Sequence, residues 1–226
     1  MANVEIIHFE NGMSLPIFKS DKLDEIIDID KIKDLIDWLD TPPALNLQKR
    51  IGILMYPGEV ATPVEGFELT FVACGMYSLI FTFIGLDGKI YTLKMQNKFQ
   101  TEEVPNYIQE YARITQMKKE LGEKLEEIGI KIPDYYMAGT GFTIREYIEG
   151  DILDCASKGD QKSEAEIVIE TIEPIISKWI KEKQESGDTN WFDVGLDFQD
   201  TLARPAGKNF IKSDDGQIYL IDPFIG

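Results

Sequence analysis

The stretch FELTFVACGMYSLIFTFIGLDGKIYTLKM, residues 67–95, decides the fold. It contains three apolar segments in which large side chains recur at every second position, divided by Gly75–Ser78 and by Asp87-Gly88. A period of two is typical of β-strands, and an Asp-Gly pair is a strong signal for a tight hairpin turn. Residues 67–95 therefore predict three consecutive antiparallel strands.

Shorter patterns precede this stretch. Residues 4–18 alternate on both sides of an Asn-Gly pair and predict a β-hairpin. Residues 30–40 have one apolar helical face and predict a helix that ends at a Thr-Pro-Pro sequence. Residues 44–65 show no regular period and are interpreted as a connector or the edge of an extension. Residues 1–60 are accordingly set apart as an N-terminal extension of a hairpin plus a helix.

Further elements follow residue 95. A helix is predicted to end near Gly129, and two strands follow it in IPDYYMAG and FTIREYIEG. An amphipathic helix is predicted over residues 163–185, and Pro174 is expected to split or kink it. A final hairpin, KNFIKSDDGQIYLIDPF at residues 208–224, turns at Asp-Gly. Strands, then helices, then a hairpin predict an α+β fold in which a sheet lobe precedes a helical lobe.

The charge balance excludes some partners. The chain has 23 basic and 40 acidic residues, a net charge of −17, so unassisted binding to a nucleic-acid backbone is not expected. No apolar run reaches the length of about 20 residues that a membrane helix needs, so no membrane partner is expected. A solvated acidic surface is the plain interpretation, and a surface that docks a basic partner or imitates nucleic acid is the alternative.

The single histidine, His8, excludes several kinds of catalysis. Catalytic triads, HExxH zinc sites and multi-histidine metal centres all need more histidines than the chain contains. Carboxylates, lysines, amides and a bound metal remain as the chemical groups. Two cysteines without metal-ligand spacing, and no signal peptide, predict a reducing, cytoplasmic location, in a host cell if the protein derives from a phage or an effector.

The two ends of the 208–224 hairpin carry oxygen ligands. With a two-residue turn at Asp215-Gly216, Asn209 pairs directly with Asp222, and their Cβ atoms lie about 4.5–5.5 Å apart. An amide oxygen and a carboxylate at that separation suit Mg²⁺, which prefers oxygen ligands and takes water or phosphate oxygens as the others. A polar pair at the open end of a hairpin is the alternative.

A lysine and a glutamate form a second candidate pair. Lys94 alternates with apolar residues in the strand KIYTLKMQ, as a solvent-exposed lysine would. The following helix has an apolar stripe formed by Tyr107, Ile114, Met117 and Leu121. Glu110 is the only charged residue on this stripe, and a carboxylate pressed against a core needs a cation or must take a proton. An ion pair between Lys94 and Glu110 is therefore predicted; a solvated Glu110 at the rim of the stripe is the alternative.

In this order, the elements resemble the protein-kinase-like fold over residues 67–224. The resemblance implies an antiparallel-sheet N-lobe with one main helix at residues 61–150. It also implies a short, truncated helical C-lobe at residues 151–226, with a catalytic loop and a metal-binding hairpin. The ending QIYLIDPF is most similar to small bacterial and phage-type kinase-like proteins.

The resemblance implies roles for single residues. Lys94 matches the family's lysine that binds the nucleotide phosphates, and Glu110 matches the helix glutamate that pairs with it. EYIEG is similar to the hinge that binds adenine through backbone groups, here at Glu146 and Ile148.

The resemblance also implies the cofactors and the partner. Asn209 and Asp222 match the family's two metal ligands, so ATP and Mg²⁺ are the implied cofactors. The partner of the reaction is an unknown protein or small-molecule acceptor of the phosphoryl group.

Three departures from the family pattern stand out. The glycine-rich loop is reduced to Gly75, with Ser78 as a possible hydroxyl donor to phosphate. Arg204 stands where the pattern has the catalytic aspartate, so either Asp200 serves as the base or Arg204 neutralises phosphate charge. The sequence given has no room after Asp222 for an activation segment.

Three functional hypotheses follow. The first is an ATP- and Mg²⁺-dependent kinase-like phosphotransferase. The second is a pseudokinase that keeps the fold as a nucleotide-binding or regulatory module, which the reduced glycine loop and the missing catalytic aspartate favour. The third is an acidic protein that binds a basic partner or imitates nucleic acid, which the net charge of −17 favours.

Overall fold

The computed structural model describes residues 3–8, 14–39, 41–54, 57–58, 60–74, 78–97, 107–153, 162–191 and 209–222. The strands in this part of the chain are β1 (Asn3–His8), β2 (Ser14–Lys19), β3 (Val60–Val64), β4 (Phe67–Cys74), β5 (Ser78–Ile84), β6 (Ile90–Gln96), β7 (Ile130–Lys131), β8 (Tyr135–Gly139), β9 (Phe142–Glu146), β10 (Gly150–Ile152), β11 (Phe210–Ser213) and β12 (Ile218–Leu220). The helices are α1 (Leu23–Ile26), α2 (Ile29–Leu39), α3 (Pro42–Leu54), α4 (Tyr107–Glu127), α5 (Glu164–Glu185) and a 3-10 turn at Thr189–Trp191. None of these helices is long and apolar enough to cross a bilayer.

The chain divides into two compact units. The first comprises residues 1–111 and 134–147, and the second comprises residues 112–133 and 148–226. The first unit contains an eight-stranded sheet in the order β1-β2-β8-β9-β6-β5-β4-β3, in which every neighbouring pair is antiparallel. The second contains a four-stranded sheet in the order β10-β11-β12-β7. The fold is therefore α+β with a large antiparallel sheet, as the sequence predicts.

The predicted three-stranded segment is confirmed as β4, β5 and β6, which are adjacent in the sheet. The hairpin predicted over residues 4–18 is confirmed as β1 and β2. This hairpin joins the sheet through β8, and β3 pairs with β4 at the other edge. The first sixty residues, which the sequence sets apart as an extension, thus contribute two whole strands, β1 and β2, to the large sheet, and β3 begins at their end.

One face of the large sheet carries the apolar core of the first unit. Large side chains of β4, β5 and β6 pack there with buried aliphatic residues of α1 and α2, among them Leu23, Ile26, Ile32 and Leu35. Burying an aliphatic side chain of this size stabilises a fold by about 1.5–3 kcal/mol. The N-terminal helices therefore hold this sheet face away from water.

Two predictions about helices are wrong. Residues 42–54 form α3, where the sequence predicted a connector, because prolines in the first turn of a helix lack only N–H groups that would have no partner there. The Thr41 side chain accepts a hydrogen bond from the Ala44 N–H and caps this start. Helix α5 also runs through Pro174 as one element, with buried residues such as Ile172 and Ile176 on both sides of it, so the predicted split is wrong; a kink at Pro174 stays a prediction.

Candidate functional site

Lys94 lies in the middle of the large sheet, on the face opposite to the apolar core. Its neighbours Leu93 and Met95 belong to that core, and successive side chains of a strand point to opposite faces. Strand pairing places Lys94 in one row across the sheet with Val4, Phe18, Ala138, Thr143 and Ile80. The side chain of Lys94 is 1% exposed, so it is not the solvent-facing lysine that its strand alone suggests.

Glu110, in the first turn of α4, supplies the carboxylate beside this lysine. The Lys94 Nζ lies 3.6 Å from the Glu110 Oε1, and the glutamate side chain is only 7% exposed. Every member of the predicted stripe is buried: Tyr107, Glu110, Ile114, Met117 and Leu121. The predicted ion pair is therefore confirmed as a structural feature, and a solvated Glu110 is excluded.

Sequence reasoning missed one member of this cluster. The Lys94 Nζ lies 5.3 Å from the centre of the Tyr107 ring, within the range of a cation–π contact. Tyr107 precedes Glu110 by one helical turn, so the periodicity of α4 already placed both on one face. The ammonium group of Lys94 thus faces a carboxylate and an aromatic ring on the same helix.

The predicted register of the C-terminal hairpin is wrong by one residue. The pairs are Phe210 with Leu220, and Ile211 with Tyr219. The Ile221 N–H donates to the Asn209 carbonyl at 2.8 Å, so Asn209 is opposite Ile221 and not opposite Asp222. Asn209 and Asp222 therefore do not form the directly opposed pair on which the metal site was predicted.

The turn chemistry explains this shift. The loop has three residues, because the Ser213 N–H donates to the Gln217 carbonyl at 2.9 Å. The Asp215 carboxylate accepts hydrogen bonds from the Ser213 hydroxyl at 2.5 Å and from the Gln217 N–H at 3.1 Å. These bonds lower the pKa of Asp215. Gly216 closes the loop at φ +83°, the left-handed position that three-residue hairpin loops need.

The predicted hinge coincides with the boundary between the two units, which falls after residue 147. The Glu146 N–H donates to the Asp134 carbonyl at 2.7 Å, and the Glu146 carboxylate accepts from the Asp134 N–H at 3.0 Å. The Glu146 carbonyl accepts a long hydrogen bond of 3.4 Å from the Thr92 hydroxyl. Ile148 is buried. The binding of adenine by this segment stays a prediction.

Several predicted site residues lie outside the described part of the chain: Gly75, Asp200 and Arg204. Ser78 is described, at the start of β5 and opposite Gln96. Within the described ranges, no three His, Cys, Asp or Glu side chains form a group that could hold a metal ion. Magnesium binding by Asn209 and Asp222 also stays a prediction, and the hairpin register gives it no support.

Comparison with known proteins gives only distant similarity. No family model and no curated protein matches the chain. The apo structure of a pseudokinase aligns with 69% of this chain and 56% of its own, at 10% identity and a TM-score of 0.30. The Rv3197–erythromycin complex from Mycobacterium tuberculosis aligns with 91% of this chain and 54% of its own, at 15% identity and a TM-score of 0.39.

The chain thus spans about half the length of each of these two structures. TM-scores of 0.30 and 0.39 assign no family. The class of the protein accordingly rests on its own architecture, an α+β fold with a large antiparallel sheet and a buried lysine–glutamate pair on one face of that sheet.

Proposed function

We propose that the chain is a kinase-like protein that binds ATP and transfers its γ-phosphoryl group to an acceptor. The observation that carries the proposal is the buried ion pair between Lys94 and Glu110. A buried ion pair is a weak source of stability, because removing two charges from water offsets most of their attraction. A lysine held in this way by a carboxylate presents a positioned positive charge that is suited to bind phosphate oxygens.

The proposal gives each residue a task. Lys94 neutralises phosphate charge, and Glu110 orients its ammonium group with the Tyr107 ring on the same helix. Glu146 and Ile148 bind the base through backbone groups. Positioning and charge neutralisation supply most of the catalysis of phosphoryl transfer, so little covalent chemistry is asked of the protein.

The remaining roles belong to the second unit and to two residues at and before the start of β5. Asp222 holds Mg²⁺, with Asn209 as a further oxygen ligand; the metal supplies charge neutralisation at the phosphates. Asp200 acts as the base; the alternative is that Arg204 lies in the site and neutralises phosphate charge, with no ordinary base. Gly75 and Ser78, the first residue of β5, contact phosphate.

A second candidate is a pseudokinase, which binds a nucleotide without transferring phosphate. The hairpin register favours it, because Asn209 is opposite Ile221 and the two metal ligands of the kinase pattern are not side by side on the hairpin. Nucleotide binding through Lys94 is common to both candidates, whereas phosphoryl transfer belongs only to the first.

Thermal unfolding with ATP, with and without Mg²⁺, tests the shared part. A ligand at 100 times its Kd stabilises the folded state by about 2.7 kcal/mol, which raises the melting temperature measurably. Lys94→Met is expected to abolish this shift. The matched control is Lys89→Met, which changes an exposed lysine in the neighbouring β5–β6 turn. An ATP-dependent shift of equal size in Lys94→Met would contradict the proposal.

Transfer of label from γ-labelled ATP then separates the two candidates. The phosphotransferase proposal expects labelled product in the wild type, and loss of that product in Asp222→Asn and Asp200→Asn. The pseudokinase proposal expects ATP binding that depends on Lys94, with no transfer to the protein itself or to added acceptors. The melting temperature of each variant is measured in parallel, so that unfolding is not mistaken for a loss of transfer.

A further inference from the structure

The two edges of the eight-stranded sheet differ in how they could accept a further strand. Within the described residues, β1 is the last strand at one edge and β3 is the last strand at the other. An edge strand directs the N–H and C=O groups of every second residue away from the sheet, so it can pair with another strand unless the chain prevents this. Natural sheets prevent it with prolines, bulges or charged side chains at the edge.

The edge at β3 is closed to such pairing. Pro63 lies within β3 and has no N–H to donate to another strand. The pairing of β3 with β4 also shifts register between Ala61 and Val64, and an irregularity of this kind distorts the edge. The β3 edge therefore has two of the devices by which sheets avoid adding a strand.

The edge at β1 is regular and apolar. β1 pairs with β2 in one unbroken register from Asn3 to His8, and its sequence NVEIIH contains no proline and no lysine. Val4 and Ile6 lie on the same face of the strand and are 58% and 55% exposed. A strand of this kind is a template for the addition of another strand, in which main-chain hydrogen bonds supply the affinity. The occupant of this edge is therefore an extended segment of chain.

Local charge distinguishes this edge from the chain as a whole. With the histidine neutral, Glu5 and Lys19 are the only charged side chains of β1 and β2. They form an ion pair of 2.6 Å, and the Lys19 Nζ also lies 3.5 Å from the Asp24 carboxylate. The two strands thus carry no net charge, whereas the whole chain carries −17. They offer no excess charge to attract a basic or an acidic partner, and a second copy meets less repulsion here than at an acidic surface.

We infer that β1 pairs antiparallel with β1 of a second copy of this chain. Directly opposed side chains share a sheet face, so a two-fold axis must pass beside one residue, which then lies opposite itself. Glu5 and Ile6 are nearest to the middle of β1. An axis at Glu5 would oppose two carboxylates, whereas an axis at Ile6 opposes two isoleucines and places Val4 opposite His8 and Glu5 opposite Ile7. The register with the axis at Ile6 is therefore expected.

The association is expected to stop at a dimer. A two-fold pairing uses the β1 edge of both copies, and the β3 edge is closed by Pro63 and its irregular register. One short strand pair buries less surface than a stable interface needs, so the dimer is expected to be weak, with a Kd on the order of 100 µM. This inference does not depend on the proposed nucleotide site.

Sedimentation velocity of the full chain tests the inference. The protein is expected to change from monomer to dimer between about 5 and 500 µM, with no larger species. Raising the salt from about 0.05 to 0.5 M is expected to strengthen the dimer, because salt screens the repulsion between two acidic chains and leaves the neutral strand pair unchanged. A chain that stays monomeric at every concentration, or a dimer that salt weakens, would overturn the inference.

A pair of matched variants locates the interface. Ile6→Lys opposes two ammonium groups at the axis and is expected to weaken the dimer at least about 10-fold. The control is Val60→Lys at the β3 edge, where the side chain is 54% exposed and the net charge changes by the same amount. The control is expected to dimerise within about 2-fold of the wild type. An unchanged dimer in Ile6→Lys, or an equal loss in Val60→Lys, would overturn the inference.

Disulfide crosslinking tests the register. Opposed Cβ atoms lie about 4.5–5.5 Å apart, close to the separation in a disulfide, so Ile6→Cys is expected to give a covalent dimer with oxidised glutathione. Val60→Cys is the control, and the wild type gives the background from Cys74 and Cys155. Melting temperatures of all variants are expected to match the wild type, because both positions are exposed. Equal crosslinking of Ile6→Cys and Val60→Cys would overturn the inference.

Discussion

Removing one partner of the Lys94–Glu110 pair is expected to destabilise the first unit strongly. The two charged atoms are 3.6 Å apart, and the side chains are 1% and 7% exposed. At this distance and an effective dielectric constant of about 20, their attraction is about 5 kcal/mol. Lys94→Met leaves Glu110 buried without the cation beside it, and breaking a buried pair in this way costs about 3–5 kcal/mol.

Replacing both partners is expected to have a much smaller effect. In Lys94→Met/Glu110→Leu, no charge of the pair is left to desolvate, and the new side chains have similar volumes. Replacing a buried ion pair by packed apolar residues is often neutral or stabilising. The double variant is therefore expected to lie within about 1–2 kcal/mol of the wild type, well above either single variant.

Urea unfolding of the wild type, the two single variants and the double variant measures this coupling. The expected interaction energy between the two sites is about 4 kcal/mol or more, above the range of about 0.5–3 kcal/mol that contacting residues usually show, because both partners are buried charges. Additive single effects, or single effects below about 1 kcal/mol, would refute the reasoning from burial. The double variant also isolates function from folding, since it keeps the fold and is expected to lose ATP binding.

Three further predictions concern the second unit. Burial opposes ionisation of Glu120, but the hydrogen bond from Lys183 lowers the pKa of Glu120 below the ordinary 4.5. The stability that the ionised Glu120 contributes is therefore present above pH 4.5 and is lost as the pH falls through the lowered pKa. Glu120→Gln is expected to cost about 1 kcal/mol at pH 7. Its difference from the wild type in urea titrations should shrink as the pH falls below 4.5 and vanish once the pH is below the lowered pKa; a difference that stays unchanged over this range would contradict the assignment. Trp191 is fully buried, so Trp191→Ala is expected to lower the free energy of unfolding in urea by about 3–5 kcal/mol. A decrease below about 1 kcal/mol would contradict this, because it would show that the site collapses around the smaller side chain. Gly150 has φ +154°, and a Cβ there would overlap a main-chain carbonyl of β11. Gly150→Ala is therefore expected to cost at least about 1–3 kcal/mol of stability in thermal unfolding. Gly122→Ala in α4, where a Cβ has room, is the control and should stabilise the protein by about 0.5–1 kcal/mol in the same measurement.

Local periodicity was sufficient for most elements of the first unit. The period of two in residues 67–95 predicted β4, β5 and β6, and helical spacing placed Glu110 on a buried stripe. The ion pair with Lys94 followed from a physical requirement, because a carboxylate on an apolar face needs a cation nearby. Such features depend on neighbours in the sequence, and the sequence alone determines them.

Other features were decided by contacts between distant parts of the chain. The burial of Lys94 follows from strand partners on both sides and from α4 against its face, none of which its own strand reveals. The insertion of β1 and β2 next to β8 joins residues more than a hundred positions apart, and no local pattern specifies such a pairing.

The C-terminal hairpin shows the division most clearly. The sequence by itself determined that residues 208–224 form two strands around an Asp-Gly turn. The number of residues in the loop was decided by the Asp215 carboxylate, which accepts bonds from both sides of it. A change of one residue in the loop moves the register by one, and a strand that moves by one residue turns its side chains to the other face. Asn209 therefore came to lie opposite Ile221, and the geometry of the predicted metal site was lost although both of its residues are present.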